Sequence, residues 1–170
     1  MIANRGRLAT WFLTLVTTTT GCPQPGSGGS GGGEGRSDLP SLTPRPVAEV
    51  LQIADDTQFA IAMSDRVVAR EQAVGYEQLT PAERVVFCLD GLEREVNNGG
   101  FSQFFENSAG DHARETVEAL RTLGAPRVAA LVAQAVAVFP AGRPATDRER
   151  RQQQLAQLDD RARARLDQLD

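Results

Sequence analysis

Two cysteines, one histidine and a group of side-chain amides are the residues of this 170-residue chain with the most chemical potential. Cys22 closes the run Thr19-Thr20-Gly21-Cys22, small residues ahead of a thiol, which looks like the site where a bacterial signal peptidase cuts and the cysteine is acylated. Cys88 sits among Val85, Val86, Phe87 and Leu89, where a free cysteine serves as a small buried hydrophobe. A disulfide between the two is disfavoured. His112, with Asp111 before it and Glu115 three residues on, is at best half a metal site, because a second helix would have to complete the ligand set. The same acids suit the first turn of a helix through its dipole, which is the preferred reading, so no metal is expected. Glu93 and Glu95 stand two apart on a helix and point in different directions, which rules them out as a working carboxylate pair. No Ser or Cys nucleophile has an assignable base, and no glycine-rich phosphate loop follows a strand. The expectation is a non-enzymatic protein without a cofactor.

The amides Asn97, Asn98, Gln103 and Asn107 fall within Glu95-Val-Asn-Asn-Gly-Gly-Phe-Ser-Gln-Phe-Phe-Glu-Asn-Ser-Ala-Gly-Asp111. They could line a polar pocket that takes a ligand or a partner; the favoured use is to cap helix ends and satisfy buried backbone groups. Gly99 and Gly100 can take positive φ, and Asn97 and Asn98 can cap the preceding carbonyls, so the chain is expected to turn here. Phe101, Phe104 and Phe105 recur at i, i+3 and i+4, which puts three rings on one side of a short helix as core anchors, with one ring at most left for a partner. Ser108 and Asp111 are expected to cap the next helix.

This stretch resembles the signature of the bacterial DNA-mimic protein family, E-V-N-N-G-G-F-x-Q-F-F-x-N-S-x-G-D. The resemblance runs more weakly from Thr80 to Arg161, through Ala119-Leu120, Leu123-Gly124-Ala125, Phe139-Pro140 and Leu158-Asp159-Asp160. It implies an all-α domain and, for some members, an acidic surface that stands in for DNA phosphates and occupies DNA-binding proteins. Charge placement is compatible with that idea. Residues 49–118 hold 14 acids and 5 arginines, net −9, whereas residues 120–170 hold 6 acids and 9 arginines, net +3. Asp111, Glu115 and Glu118 can form a row at i, i+4 and i+7, and Asp90 with Glu93 can extend one. A solvated helix face is the favoured reading of these acids, because Arg84, Arg94 and Arg114 interrupt them. The net charge of −4 excludes a basic nucleic-acid binder as the default, and no direct nucleic-acid binding is expected. Every basic residue is Arg.

Three segments position these groups. Residues 1–21 read as a lipoprotein-type signal peptide: Arg5 and Arg7 precede the apolar run Leu8 to Val16, which is too short to span a bilayer. Residues 22–46 are the lipidated cysteine and a Gly/Ser/Pro-rich disordered linker that cannot bury enough apolar surface to fold. Its reach is about 27 Å for roughly 24 flexible residues. Pro23, in place of the Asp that commonly retains lipoproteins in the inner membrane, favours the outer membrane by resemblance.

Residues 47–170 read as helix throughout. An apolar run from Val47 to Val68 is open to interruption at Asp55-Asp56-Thr57. Thr80-Pro81-Ala82-Glu83 is a capping box with proline in the first turn, followed by the stripe Val85, Leu89, Leu92 and Val96. Gly124 closes one helix, Pro126 opens another that stops at Phe139-Pro140, and Asp147 caps a final polar helix with Leu155, Leu158, Ala162, Leu166 and Leu169 on one seam. The fold class is all-α, a single helical bundle of about five to six helices. A lipid anchor would make the membrane one partner and an unknown envelope protein another. The alternative is a cytoplasmic acidic DNA mimic that inhibits a DNA-binding protein.

Overall fold

A computed structural model describes residues 45–170. The expected signal peptide, the expected lipidation site Cys22 and all but the end of the expected linker lie outside them. Seven α-helices follow one another: α1 (Val47–Val50), α2 (Asp56–Val74), α3 (Pro81–Glu106), α4 (Ala113–Leu123), α5 (Pro126–Val136), α6 (Arg148–Ala156) and α7 (Asp160–Asp167), with short 3-10 turns between some of them. Among the described residues there is no strand, and no helix is long and apolar enough to cross a membrane.

Local sequence explains most boundaries. The Thr80 hydroxyl accepts from the Glu83 N–H while the Glu83 carboxylate accepts from the Thr80 N–H, which completes the expected capping box. Gly124 ends α4 in the left-handed region at φ 80°. Asp147 and Asp159 each accept an N–H three residues on, opening α6 and α7. Two helices therefore stand where one final helix is expected, because Asp159 restarts the chain after the turn at Gln157. Asp55 likewise caps α2 through the Gln58 N–H and separates it from α1. These two interruptions raise the count to seven.

The glycine pair breaks α3 internally instead of ending it. Gly99 is extended at φ −164°, and Gly100 sits at φ 70°, ψ −170°, a region open to glycine alone. The kink turns the short Phe helix inward. Phe101, Phe104 and Phe105 are all buried and pack with Leu120, Val132, Phe139 and Leu166 into one core. Phe104 and Phe105 meet edge to face at 5.1 Å between centroids, and Phe105 lies 4.6 Å from Phe139. Leu155, Leu158 and Leu169 close onto the same core, so the C-terminal seam packs within the chain.

A second cluster, Val67, Tyr76, Leu79, Val86, Cys88 and Ala119, joins α2 to the face of α3 and α4. Phe59 of α2 is buried as well.

Gly100 and Gly124, two of the four positive-φ glycines among the described residues, separate strain from space. Gly100→Ala should cost about 3 kcal/mol, since its dihedrals exclude side chains and a methyl would run into the Asp170 carboxylate that accepts the Phe101 N–H. Gly124→Ala, with nothing within 4 Å of a Cβ, should cost about 1 kcal/mol. Urea unfolding of the two variants measures the difference.

Candidate functional site

In an unbroken helix, residues eight apart are separated by about 12 Å along the axis. The kink at Gly99 and Gly100 removes that separation between Glu95 and the amides that follow. Gln103 Nε2 and Asn107 Nδ2 both donate to one oxygen of Glu95, at 2.9 and 2.7 Å, while Arg94 Nε approaches the other at 3.4 Å. Glu95 is buried. Burial alone would raise its pKa, but the hydrogen bonds from Gln103, Asn107 and Arg94, with the Arg94 charge, hold it below the usual carboxylate range.

Asn107 links this carboxylate to a second network. Its side-chain oxygen accepts from Arg148 at 3.1 Å. Its backbone carbonyl accepts from Arg151, whose side chain is fully buried. Arg151 also donates to the carbonyls of Phe105 (2.7 Å), Ala145 (2.7 Å) and Thr146 (3.1 Å) and forms an ion pair with Asp111 at 2.6 Å. The carbonyls that end a helix have no partner within it, and α6 supplies partners at the end of α3: Arg151 on Phe105, and Arg148 with Gln152 on Glu106. Gly110 lies against this guanidinium, where a Cβ would fall 2.7 Å from Arg151 Nε and 2.8 Å from the Phe104 carbonyl.

The signature residues therefore divide. Glu95, Gln103, Asn107, Gly110 and Asp111 face the interior networks, and Gly100 with the three phenylalanines is buried, leaving no ring for a partner. Asn97, Asn98 and Ser108 are exposed and no side-chain hydrogen bond caps a helix at them. Gly99 is exposed as well. The expected caps at Ser108 and Asp111 are absent: α4 begins after a 3-10 turn, with His112 at its N-cap position and no side-chain bond there. Asp111 instead serves Arg151, a partner 40 residues away whose attraction outweighs a local cap.

Three of the five acids expected to form a row are paired with arginines. Asp90 pairs with Arg94 at 2.9 Å, Asp111 with Arg151, and Glu118 with Arg121 at 2.5 Å. Glu115 binds His112 Nδ1 at 3.0 Å. Glu93 borders a cavity of about 60 Å³ with Val96, Phe101 and Val132. Burial, helped by the charge of Asp90, pushes its pKa up to about 7. Asp111 turns towards α6 and leaves the helix face that Glu115 and Glu118 share.

His112 stacks on Tyr76 with centroids 3.7 Å apart and meets the edge of Phe87. Among the described residues, no group of three or more His, Cys, Asp or Glu is arranged to hold a metal ion. Cys88 is buried and 3.6 Å from the Tyr76 hydroxyl; burial pushes the thiol pKa up, which keeps it protonated.

Sequence reading missed Arg151. The available signal was its place on the C-terminal seam, four residues before Leu155 and seven before Leu158, which puts a charge on the stripe that faces the core.

Arg151→Met should destabilise the domain by about 3–5 kcal/mol, because it leaves Asp111 and four carbonyls without their donor. Arg151→Lys should recover little, since an ammonium cannot reproduce the planar fork of donors. Urea titrations test both. Glu93 binds its proton more tightly folded than unfolded, so its contribution is fully present below the ordinary carboxylate pKa and is lost as pH rises through about 7. Stability measured from pH 5 to 8 should fall more steeply for the natural chain than for Glu93→Gln.

The family model for DMP19-like protein matches residues 77–170. No curated protein and no solved structure matches the chain. The matched region starts in the turn before α3, contains both polar networks and the phenylalanine core, and leaves α1 and α2 outside. The match covers more than half of the chain: the chain belongs to the DMP19-like protein family, a family of DNA mimics.

Proposed function

We propose that this is a non-enzymatic, protein-binding DMP19-like domain held on the bacterial envelope, at the outer membrane, by lipid on Cys22. The observation that carries the binding reading is the inward turn of the signature. Glu95, Asn107 and Asp111 are engaged by Gln103, Arg148 and Arg151, so the signature builds the scaffold and the outer helix faces meet the partner. The groups with chemical potential are similarly occupied. Cys88 is held protonated, and His112 is stacked on Tyr76 and bonded to Glu115. The anchor rests on the order Arg5 and Arg7, an apolar run, Thr19-Thr20-Gly21-Cys22 and a Gly/Ser/Pro-rich spacer.

Family membership favours a second reading, a cytoplasmic mimic that blocks a DNA-binding protein. Acid pairing with Arg94, Arg121 and Arg151 weighs against the proposed row as its phosphate imitation, because a mimic of DNA must present closely spaced uncompensated charge.

Fractionation of the native host tests the anchor. The chain should sediment with membranes, with an intact mass that lacks residues 1–21, carries acyl groups and shows no tryptophan emission, since Trp11 leaves with the leader. Cys22→Ala should abolish the membrane association. An unmodified full-length chain in the soluble cytoplasm would overturn the anchor, and salt-sensitive displacement of DNA from a host protein would establish the second reading.

A further inference from the structure

Asn98 is followed by Gly99, and no other asparagine of the chain precedes a glycine. The main-chain nitrogen after an asparagine can attack its side-chain carbonyl carbon and close a five-membered succinimide ring. Glycine favours this most, because it places no side chain in the path of the ring and lets the peptide rotate.

The fold supplies the remaining conditions. Asn98 and Gly99 are both exposed, and among the described residues no hydrogen bond engages the Asn98 side chain. A position inside a helix opposes ring closure, since the peptide must swing out of its helical orientation. That constraint ends here: Asn98 is the last residue with helical dihedrals before the kink, and Gly99 is already extended at φ −164°. The peptide between them is therefore held by helix on one side only. The fold also requires the glycine. A Cβ on Gly99 would lie 3.0 Å from Gln103 Cβ and 3.1 Å from Gln103 Cδ, and Gln103 is fixed by its bond to Glu95. Asn107 differs on both counts, for it precedes Ser108 and its amide is engaged by Glu95 and Arg148.

We propose that Asn98 is a site of self-modification, in which Gly99 N bonds to Asn98 Cγ, the bond from Cγ to Nδ2 breaks, and Nδ2 leaves as ammonia with the proton that Gly99 N gives up. Water then opens the ring at one of its two carbonyls. Opening at Cγ leaves aspartate in a normal main chain, and opening at the main-chain carbonyl leaves isoaspartate, whose main chain runs through Cβ. Isoaspartate adds one atom, about 1.5 Å of path, immediately ahead of the kink. Glu95 lies before that atom and Gln103 and Asn107 after it, so their 2.9 and 2.7 Å bonds lose register. The Arg151 network, whose acceptors run from Phe105 to Thr146, lies wholly after it and is spared. Neither the anchor at Cys22 nor DNA mimicry is needed for this chemistry.

The test ages the purified full chain at pH 7, 8 and 9 and follows it by intact mass and by peptide fragmentation that separates the two acid linkages. A gain of about 1 Da located at residue 98, mainly as isoaspartate and faster at each higher pH, is expected, because the attacking nitrogen must lose its proton. Asn98→Gln, whose longer side chain closes a six-membered ring far more slowly, should block the change and keep the urea midpoint; Asn98→Ser serves the same purpose should Asn98→Gln fail to fold. The modified pool, separated by ion exchange, should unfold at lower urea than Asn98→Asp, which carries the added charge without the added atom. No change at residue 98 under conditions that convert a peptide of residues 95–102 overturns the proposal. Equal urea midpoints for the modified pool and Asn98→Asp overturn the loss of register at Glu95.

Discussion

Arg151 reaches the interior with no solvent exposure and finds acceptors on three separate stretches of chain: Phe105 and Asn107, Asp111, and Ala145 with Thr146. A buried guanidinium is tolerated only when its donors are satisfied, because the cost of removing a charge from water is several kcal/mol. That condition dictates much of the signature. Gly110 must lack a side chain to let the guanidinium approach, Asp111 must supply the countercharge, and α3 must end where its carbonyls point at α6. The Phe helix is then fixed between this network and the aromatic core.

The polar network and the hydrophobic core divide the work of specifying the fold. Apolar burial supplies a driving force that many packings could share. The Glu95 and Arg151 networks are more selective, since each needs particular donors at particular distances, and a misplaced kink would leave Glu95 buried without Gln103 and Asn107. The N-terminal arm is different in kind. It adheres through a small second cluster around Val67, Tyr76 and Cys88.

Features set by a few neighbouring residues were legible in the sequence. The Thr80 capping box, the glycine stop at Gly124 and the Asp147 cap each depend on groups within about three residues, and each is where the pattern put it. The phenylalanine spacing also identified core residues correctly. What stayed hidden depended on distant partners. Asp111 has the form of a local cap and goes to Arg151 instead, while Asn107 is shared between Glu95, 12 residues before it, and Arg148, 41 residues after it. The broken final helix was hidden for another reason, since its apolar stripe continues across the turn capped by Asp159.

The glycine kink also fixes the length of the segment around it. Glu95 meets Gln103 and Asn107 because a set number of residues lies on either side of Gly99 and Gly100. Adding or deleting one residue would rotate everything downstream by about 100°, swinging the rings and both amides away from their partners together. Asn97 and Asn98 are exposed and stand outside both networks, so a substitution there disturbs less than a change in the segment's length.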